Sequence, residues 1–229
     1  MTKTKQPVAI QPGQPVIFDM DGVLVDTEPL NEQHMEAFLT SLGVKKPAFD
    51  PELKGFNSQT IWILLKQQYK LQQNIDELIA QARNHYLDFL KSLDQLPAVA
   101  GTRELVEYLD SLGCKLAIGS SASPRRIKFT LEKLGIARYF PVIISGDDIA
   151  RSKPAPDVFL LAAKKLDADP ADCIVIEDAY NGVTAAKAAG MTCIAYTGAE
   201  HNHDDLSAAD LIIRDFAEFT DSLKKDLEQ

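Results

Sequence analysis

Short apolar runs alternate with helix-length segments through the second half of the chain, and that alternation restricts the fold more than any other feature. Residues 116–119, 142–145, 173–176, 192–196 and 211–213 read as strands, and residues 102–112, 124–134, 155–166, 182–189 and 216–227 as helices. Gly113, Gly135 and Gly190 stand where three of those helices end, the position at which glycine closes a helix. Strands that are apolar throughout and separated by helices belong in a parallel sheet buried on both faces. Such sheets bind ligands beyond the carboxyl ends of their strands. Polar residues at those ends are therefore the candidates for chemistry.

One more apolar run, Val16-Ile17-Phe18, ends in Asp19-Met20-Asp21-Gly22. Acids two residues apart begin on one side of a strand, and Gly22 lets the backbone turn sharply after them. Two carboxylates this close repel unless a cation lies between them, and oxygen ligands suit Mg2+. Taken alone, an Asp-x-Asp-Gly segment is better explained as a turn whose aspartates cap backbone amides. Three later segments supply what such a site would lack. Lys115-Leu116-Ala117-Ile118-Gly119 ends in the hydroxyls of Ser120 and Ser121. Ser152-Lys153-Pro154-Ala155-Pro156-Asp157 presents a lysine ahead of a helix, and Cys173-Ile174-Val175-Ile176 ends in Glu177-Asp178.

These four segments, in this order, resemble the haloacid dehalogenase-like hydrolase superfamily, and within it the branch of β-phosphoglucomutase and the small sugar-phosphate phosphatases. The resemblance implies an α/β fold: a Rossmann-like parallel-sheet core flanked by helices, with an inserted α-helical cap domain. It implies that Asp19 attacks phosphorus to give an aspartyl-phosphate and that Asp21 is the general acid and base. Mg2+ is then held by the Asp19 carboxylate, the Asp21 main-chain carbonyl and Asp178, with Glu177 binding directly or through water. Ser120, the Ser121 amide and Lys153 bind phosphate. Each later residue also has a structural explanation: a helix-capping Ser120, acids favoured by the positive end of the following helix, an ordinary surface lysine.

Between residues 28 and 96 the strand signal vanishes, and residues 29–42, 58–69 and 75–93 read as helices. With 229 residues, one core carrying an inserted module is the natural organisation. The expected layout is a disordered leader over 1–14, a core of 15–28 and 97–229, and a cap of 29–96 hinged near 26–29 and 93–98. Trp62, Phe38, Tyr86 and Phe89 are expected in the cap's own core. His201-Asn202-His203-Asp204-Asp205 has metal-binding residue types but no regular element to frame them, so it reads as a solvated loop.

Composition excludes other classes. The formal charge, 24 − 33 = −9, comes without a basic cluster to follow a nucleic-acid backbone. Residues 1–14 contain no continuous apolar stretch that could act as a signal or a membrane span. Cys114, Cys173 and Cys193 are odd in number and sit in apolar surroundings, which fits buried thiols in a reducing, cytoplasmic compartment. The expected partner is a small phosphorylated metabolite acting on a monomer, with neither nucleic acid nor membrane involved.

The resemblance leaves open a phosphosugar mutase and a catalytically silent phosphometabolite-binding module. A mutase must grip two phosphates. Where that branch has a hinge histidine this chain has Asn31, and where it has a cap arginine after a Lys-Gly pair, Lys54-Gly55-Phe56-Asn57-Ser58 offers Ser58. Hydrolysis is the expectation. Retention of every acid, the serine and the lysine argues against a silent module.

Overall fold

The structure, a computed structural model, describes residues 8–48, 58–198 and 204–227. Among these, six strands form one wholly parallel sheet: β1 Pro15–Phe18, β2 Lys115–Gly119, β3 Val142–Ile144, β4 Ile174–Glu177, β5 Thr192–Tyr196 and β6 Leu211–Ile213. Their spatial order is β3-β2-β1-β4-β5-β6. Helices α1 Glu28–Ser41, α2 Ser58–Tyr69 and α3 Ile75–Ser92 follow β1, and α4 Thr102–Ser111 precedes β2. Then α5 Pro124–Leu134, α6 Asp157–Lys165, α7 Tyr180–Ala188 and α8 Phe216–Leu227 alternate with the remaining strands. The chain divides into one unit of Met1–Asp26 with Leu96–Gln229, and a second of Thr27–Gln95.

Both faces of the sheet are dry along its central strands, while the edge strands β3 and β6 leave Ile143 and Ile212 exposed. Ile17, Ala117, Val175 and Cys193 pack with Phe159, Ala162 and Ala163 of α6 and with Val183, Ala185 and Ala186 of α7. Their alternating neighbours, Val16, Phe18, Leu116, Ile118, Ile174 and Ile176, are just as buried. This is why the strands lack polar alternation, and each large apolar side chain so buried contributes about 1.5–3 kcal/mol. Cys114, Cys173 and Cys193 are buried, free thiols.

Several boundaries shift for local reasons. Helix α6 begins at Asp157 rather than 155, because Ala155 N–H closes a turn on Ser152 and Pro156 caps the helix. Strand β4 extends to Glu177, which stays in register with Ala195. The leader expected over 1–14 does not include its second half. Ile10 is buried, Gly13 N–H donates to the Leu112 carbonyl, and the Gln14 amide donates to Asp172. The short apolar run Val8-Ala9-Ile10 supplies the buried anchor, Ile10, while residues 1–7 lie outside those described.

The helical unit has a core of its own, in which Phe38, Leu39, Trp62, Leu65, Leu71, Leu78 and Ala82 cluster. Phe38 meets Trp62 edge to face at 5.4 Å, a favoured aromatic geometry. A reciprocal pair between Asn74 and Glu77 starts α3, satisfying two helix-end N–H groups. His34 is buried against Phe38, His85 and Tyr86, so its ring serves packing. Among the described residues no helix is long and apolar enough to cross a membrane.

Candidate active site

Strand β1 lies at the centre of the sheet, between β2 and β4, where the strand order reverses direction. Open α/β sheets bind ligands outside the strand ends at this kind of switch point. Phe18 pairs with Ile118 on one side and Ile176 on the other. The next residues, Asp19, Gly119-Ser120 and Glu177-Asp178, therefore emerge side by side, with neighbouring strands about 4.8 Å apart. Asp19 is pinned there by its N–H donating to the Ile176 carbonyl at 2.9 Å.

Asp19 is 6% exposed and its Oδ1 accepts from Lys153 Nζ at 2.5 Å. The same ammonium donates to Glu177 Oε1 at 2.8 Å and stands 4.7 Å above the Phe159 ring. Gly119 makes room for that ring: a Cβ there would meet Phe159 at 3.1 Å. Lys153 is thus a buried cation clamped between two acids. Burial works against its charge, yet Asp19 and Glu177 hold its pKa above that of an ordinary lysine. Glu177 is occupied on both oxygens, since Oε2 accepts from the N–H groups of Asp178 and Ala179 at 2.7 and 2.8 Å. It lies hard against Gly182, where a Cβ would fall 1.6 Å from Oε1. The acid-pair segment divides its labour: Glu177 orients Lys153 and Asp178 faces the β1 loop.

After β1 the chain turns at once. Gly22 has φ +78 and its N–H donates to the Val25 carbonyl at 2.8 Å. An added Cβ would lie 1.9 Å from Asp178 Oδ2, so glycine is required both for the left-handed turn and for the close approach of Asp178. Asp21, inside this turn, is gripped by Arg126 of α5. Nη1 donates to Oδ1 at 3.0 Å and Nη2 to Oδ2 at 2.5 Å.

Four acids, Asp19, Asp21, Glu177 and Asp178, converge at this end of the sheet, where Lys153 pairs with Asp19 and Glu177 and Arg126 with Asp21. Burial, reinforced by Glu177 and Asp21 and opposed by Lys153, raises the Asp19 carboxyl to about 7. Asp178 is also held well above the usual carboxylate range, by burial first and then by Glu177 and Asp19. A hard divalent ion with oxygen ligands fits this donor set. Among the described residues no three Asp, Glu, His or Cys side chains form a ready metal cage. A set of Asp19, Asp178 and the Asp21 carbonyl needs only two side chains.

Ser120 is fully buried at the end of β2; its N–H donates to Ile144 and its Oγ accepts from Ala122 N–H at 3.1 Å. It does not cap α5, whose N-cap is Ser123; while its Oγ accepts from Ala122, the same hydroxyl carries one O–H donor. Ser121 is exposed, and its carbonyl borders Gly146. In the 201–205 segment, residues 201–203 lie outside those described, while Asp204 Oδ2 accepts from Tyr180 N–H at 2.7 Å and so serves the start of α7.

Arg126 is the site residue that sequence reasoning passed over. Its signal was an anomaly of charge. The first turn of α5 carries Arg125 and Arg126 and no acid, although cations there oppose the helix dipole by roughly 0.3–1 kcal/mol each. A compensating acid was to be sought near that helix end.

Comparison with known proteins bears on this arrangement. The chain is 31% identical over 193 residues to the phosphorylated carbohydrates phosphatase of Thermotoga maritima, covering 83% of this chain and 87% of that one. It is 30% identical over 200 residues to the bifunctional riboflavin kinase/FMN phosphatase of Arabidopsis thaliana, covering 86% of this chain but 52% of that protein, about half its length. Among solved structures, a mutant form of CbbY from Rhodobacter sphaeroides, in complex with xylulose-1,5-bisphosphate, superimposes with a TM-score of 0.77 at 25% identity, covering 90% of this chain and 95% of that one. The family profile of the haloacid dehalogenase-like hydrolases matches residues 16–196, from the start of β1 to the end of β5, and the chain belongs to that family.

Proposed function

We propose that this enzyme is a Mg2+-dependent phosphoric monoester hydrolase acting on a small phosphorylated metabolite, of the sugar-phosphate class, through phosphorylation of Asp19. The observation that carries this reading is the Lys153 ammonium set 2.5 Å from a buried Asp19 carboxylate at the sheet's switch point. A nucleophile for a phosphate ester must be freed of charge repulsion and held in line.

An Asp19 oxygen attacks phosphorus while the bond to the leaving oxygen breaks, and that oxygen keeps the electron pair and takes a proton from Asp21. Asp21 then accepts a proton from water as the water oxygen attacks phosphorus, and the bond to Asp19 breaks. Ester and water become alcohol and inorganic phosphate, with both aspartates restored. Lys153 and the Ser120 hydroxyl stabilise the phosphoryl oxygens. Asp19, Asp178 and the Asp21 carbonyl would hold Mg2+. The ion, when bound, neutralises charge that develops on the phosphoryl oxygens. Glu177 keeps Lys153 in place.

Two named similarities favour phosphorylated sugars: the carbohydrate phosphatase and the bisphosphate-bound CbbY structure. The helical unit of Thr27–Gln95 is proposed to act as the cap that selects the substrate. Hydrolysis is favoured over mutase chemistry because Asn31 and Ser58 cannot give a second phosphate the ionic, bidentate hold of arginine; residues 54–57 lie outside those described. The test is phosphate release from a panel of phosphorylated sugars, nucleotides and glycerol phosphates with Mg2+, coupled to mass spectrometry of acid-quenched enzyme. A phosphoryl adduct on the peptide containing Asp19 is expected. Turnover with the adduct on another residue would overturn the assignment, and isomer formation outpacing phosphate release would establish the mutase.

A further inference from the structure

Asp21 is required to hand a proton to one oxygen and recover it from another, so the direction of its carboxylate matters as much as its presence. Nothing in the β1 loop itself fixes that direction, because Asp21 follows Met20 in a tight turn and its side chain is 30% exposed. The constraint arrives from elsewhere in the chain. Arg126, 105 residues away in sequence and with its own side chain only 16% exposed, meets both Asp21 oxygens with two guanidinium nitrogens. A fork against a carboxylate fixes the plane and the torsion of the acid, which a single-point ammonium cannot do.

Three features show that this pair is built rather than incidental. Arg126 sits in the first turn of α5, where a cation opposes the helix dipole. That turn follows directly on Ser120 and Ser121, so the same segment that places phosphate-binding groups also places the guanidinium. The pair leaves Asp21 within reach of a substrate, since its side chain stays 30% exposed while both of its oxygens are held.

We infer that Arg126 is the positioning residue for proton transfer by Asp21: it aims the acid at the leaving oxygen without touching the transferred phosphoryl group. The inference rests on the hydrolase reading above, in which Asp21 protonates the leaving group. It has a signature that a merely structural role lacks. Alkyl phosphates such as sugar phosphates need a proton on departure, whereas p-nitrophenyl phosphate expels a stable anion and needs almost none.

The experiment compares kcat/KM for a sugar phosphate and for p-nitrophenyl phosphate in the Mg2+-loaded full chain, for Arg126→Ala and Arg126→Lys, with a thermal melt of each. Because kcat/KM reports events up to formation of the aspartyl-phosphate, later hydrolysis does not mask the effect. Arg126→Ala is expected to lower the sugar-phosphate value by about 30-fold and the aryl value by less than about 3-fold, a loss within the range of general-acid catalysis. Arg126→Lys should fall between, and added guanidinium ion should restore part of the alanine variant's loss. Asp21→Asn should show the same selectivity more strongly.

Equal losses on both esters would overturn the inference and assign Arg126 to folding or phosphate binding. A raised KM with unchanged kcat, confined to substrates bearing a second anionic group, would overturn it in favour of a substrate contact, as would no loss at all. If Asp21→Asn itself shows no selectivity, or Asp19→Asn stays active, the hydrolase scheme fails in its own right, and those two variants tell that failure apart from failure of Arg126 alone.

Discussion

Asp19 and Asp21 stand two residues apart and carry the same functional group, yet the fold gives them opposite surroundings. Asp19 is sealed at the head of a buried strand, with Lys153 shared between it and Glu177. Asp21 lies in the following turn, a third open to solvent, held by an arginine from another helix. Under the proposed mechanism the contrast separates two tasks that one residue type would perform. A nucleophile gains from a fixed line of attack and a permanent counter-charge, while a proton carrier must exchange with an oxygen that comes and goes. Environments that drive two carboxylates apart are how acid and base assignments are made within one site.

The largest test of that contrast removes the carboxylates one at a time. Asp19→Asn should lower kcat for every ester, alkyl or aryl, by on the order of 10⁴-fold or more, as loss of a nucleophile does. Asp21→Asn should cost roughly 10²–10⁴-fold on alkyl esters and far less on aryl ones. Steady-state rates on both ester types check this, and a common loss in both variants would erase the distinction between them.

Lys153 offers the next break. Lys153→Met leaves Asp19 and Glu177 buried without their shared cation, and activity should fall about 10²–10³-fold, as when one electrostatic donor is lost. Gly182→Ala attacks the same clamp from behind, because its Cβ would fall within bonding distance of Glu177 Oε1. It should reproduce a smaller part of the loss while leaving Lys153 in the chain. A fully active Gly182→Ala enzyme would show that Glu177 does not orient the lysine.

The sheet side of this architecture was largely readable from sequence, because the strands are mostly apolar runs and Gly113, Gly135 and Gly190 mark the ends of three of the helices between them. Strands β5 and β6 and helices α2, α5 and α8 have the expected bounds. What was not readable depends on contacts made far along the chain. That Glu177 serves Lys153 follows from the packing of Gly182 and two amides around its carboxylate. The Arg126–Asp21 pair joins α5 to the β1 loop, and no local pattern records the distance between them. Ile10 is similar: it is buried in a segment whose hydrogen bonds run to Leu112 and Asp172, far along the chain.

A milder perturbation acts on the loop that joins the two aspartates. Gly22→Ala forces a side chain into a left-handed conformation, at about 1–2 kcal/mol, and drives Asp178 from its place. The Mg2+ concentration for half-maximal activity should rise about 10-fold or more, the scale of a displaced ligand support, while Asp19 and Lys153 keep their contact. A magnesium titration of activity, with calorimetry on the metal-loaded and chelated protein, follows both consequences. An unchanged Mg2+ requirement would exclude Asp178 from the ligand set.

The smallest expected effect is on stability, and its sign separates the buried acids from the rest of the surface. In the folded protein the Asp19 carboxyl titrates near 7 and Asp178 is raised well above the usual range, while an unfolded aspartate titrates at about 4. Between about pH 4 and 7 the folded state therefore binds more protons than the unfolded one, and stability falls as pH rises. Surface acids with lowered pKa, Asp148 and Asp157 among them, have the opposite sign but act below that window. Chelated protein should accordingly melt at a lower temperature at pH 7.5 than at pH 5. Mg2+ at about one hundred times its Kd would add about 2.7 kcal/mol at pH 7.5, roughly 5–10 °C for a chain of this size, and at pH 5 much less, because protons then compete for the same oxygens. Asp178→Asn should flatten the pH dependence of the chelated protein and abolish most of the Mg2+ response. Melting curves at both pH values, with chelator and with Mg2+, measure all of this; a chelated protein that grows more stable from pH 5 to 7.5 would mean that the carboxylates around Asp19 are not the strained cluster their burial makes them.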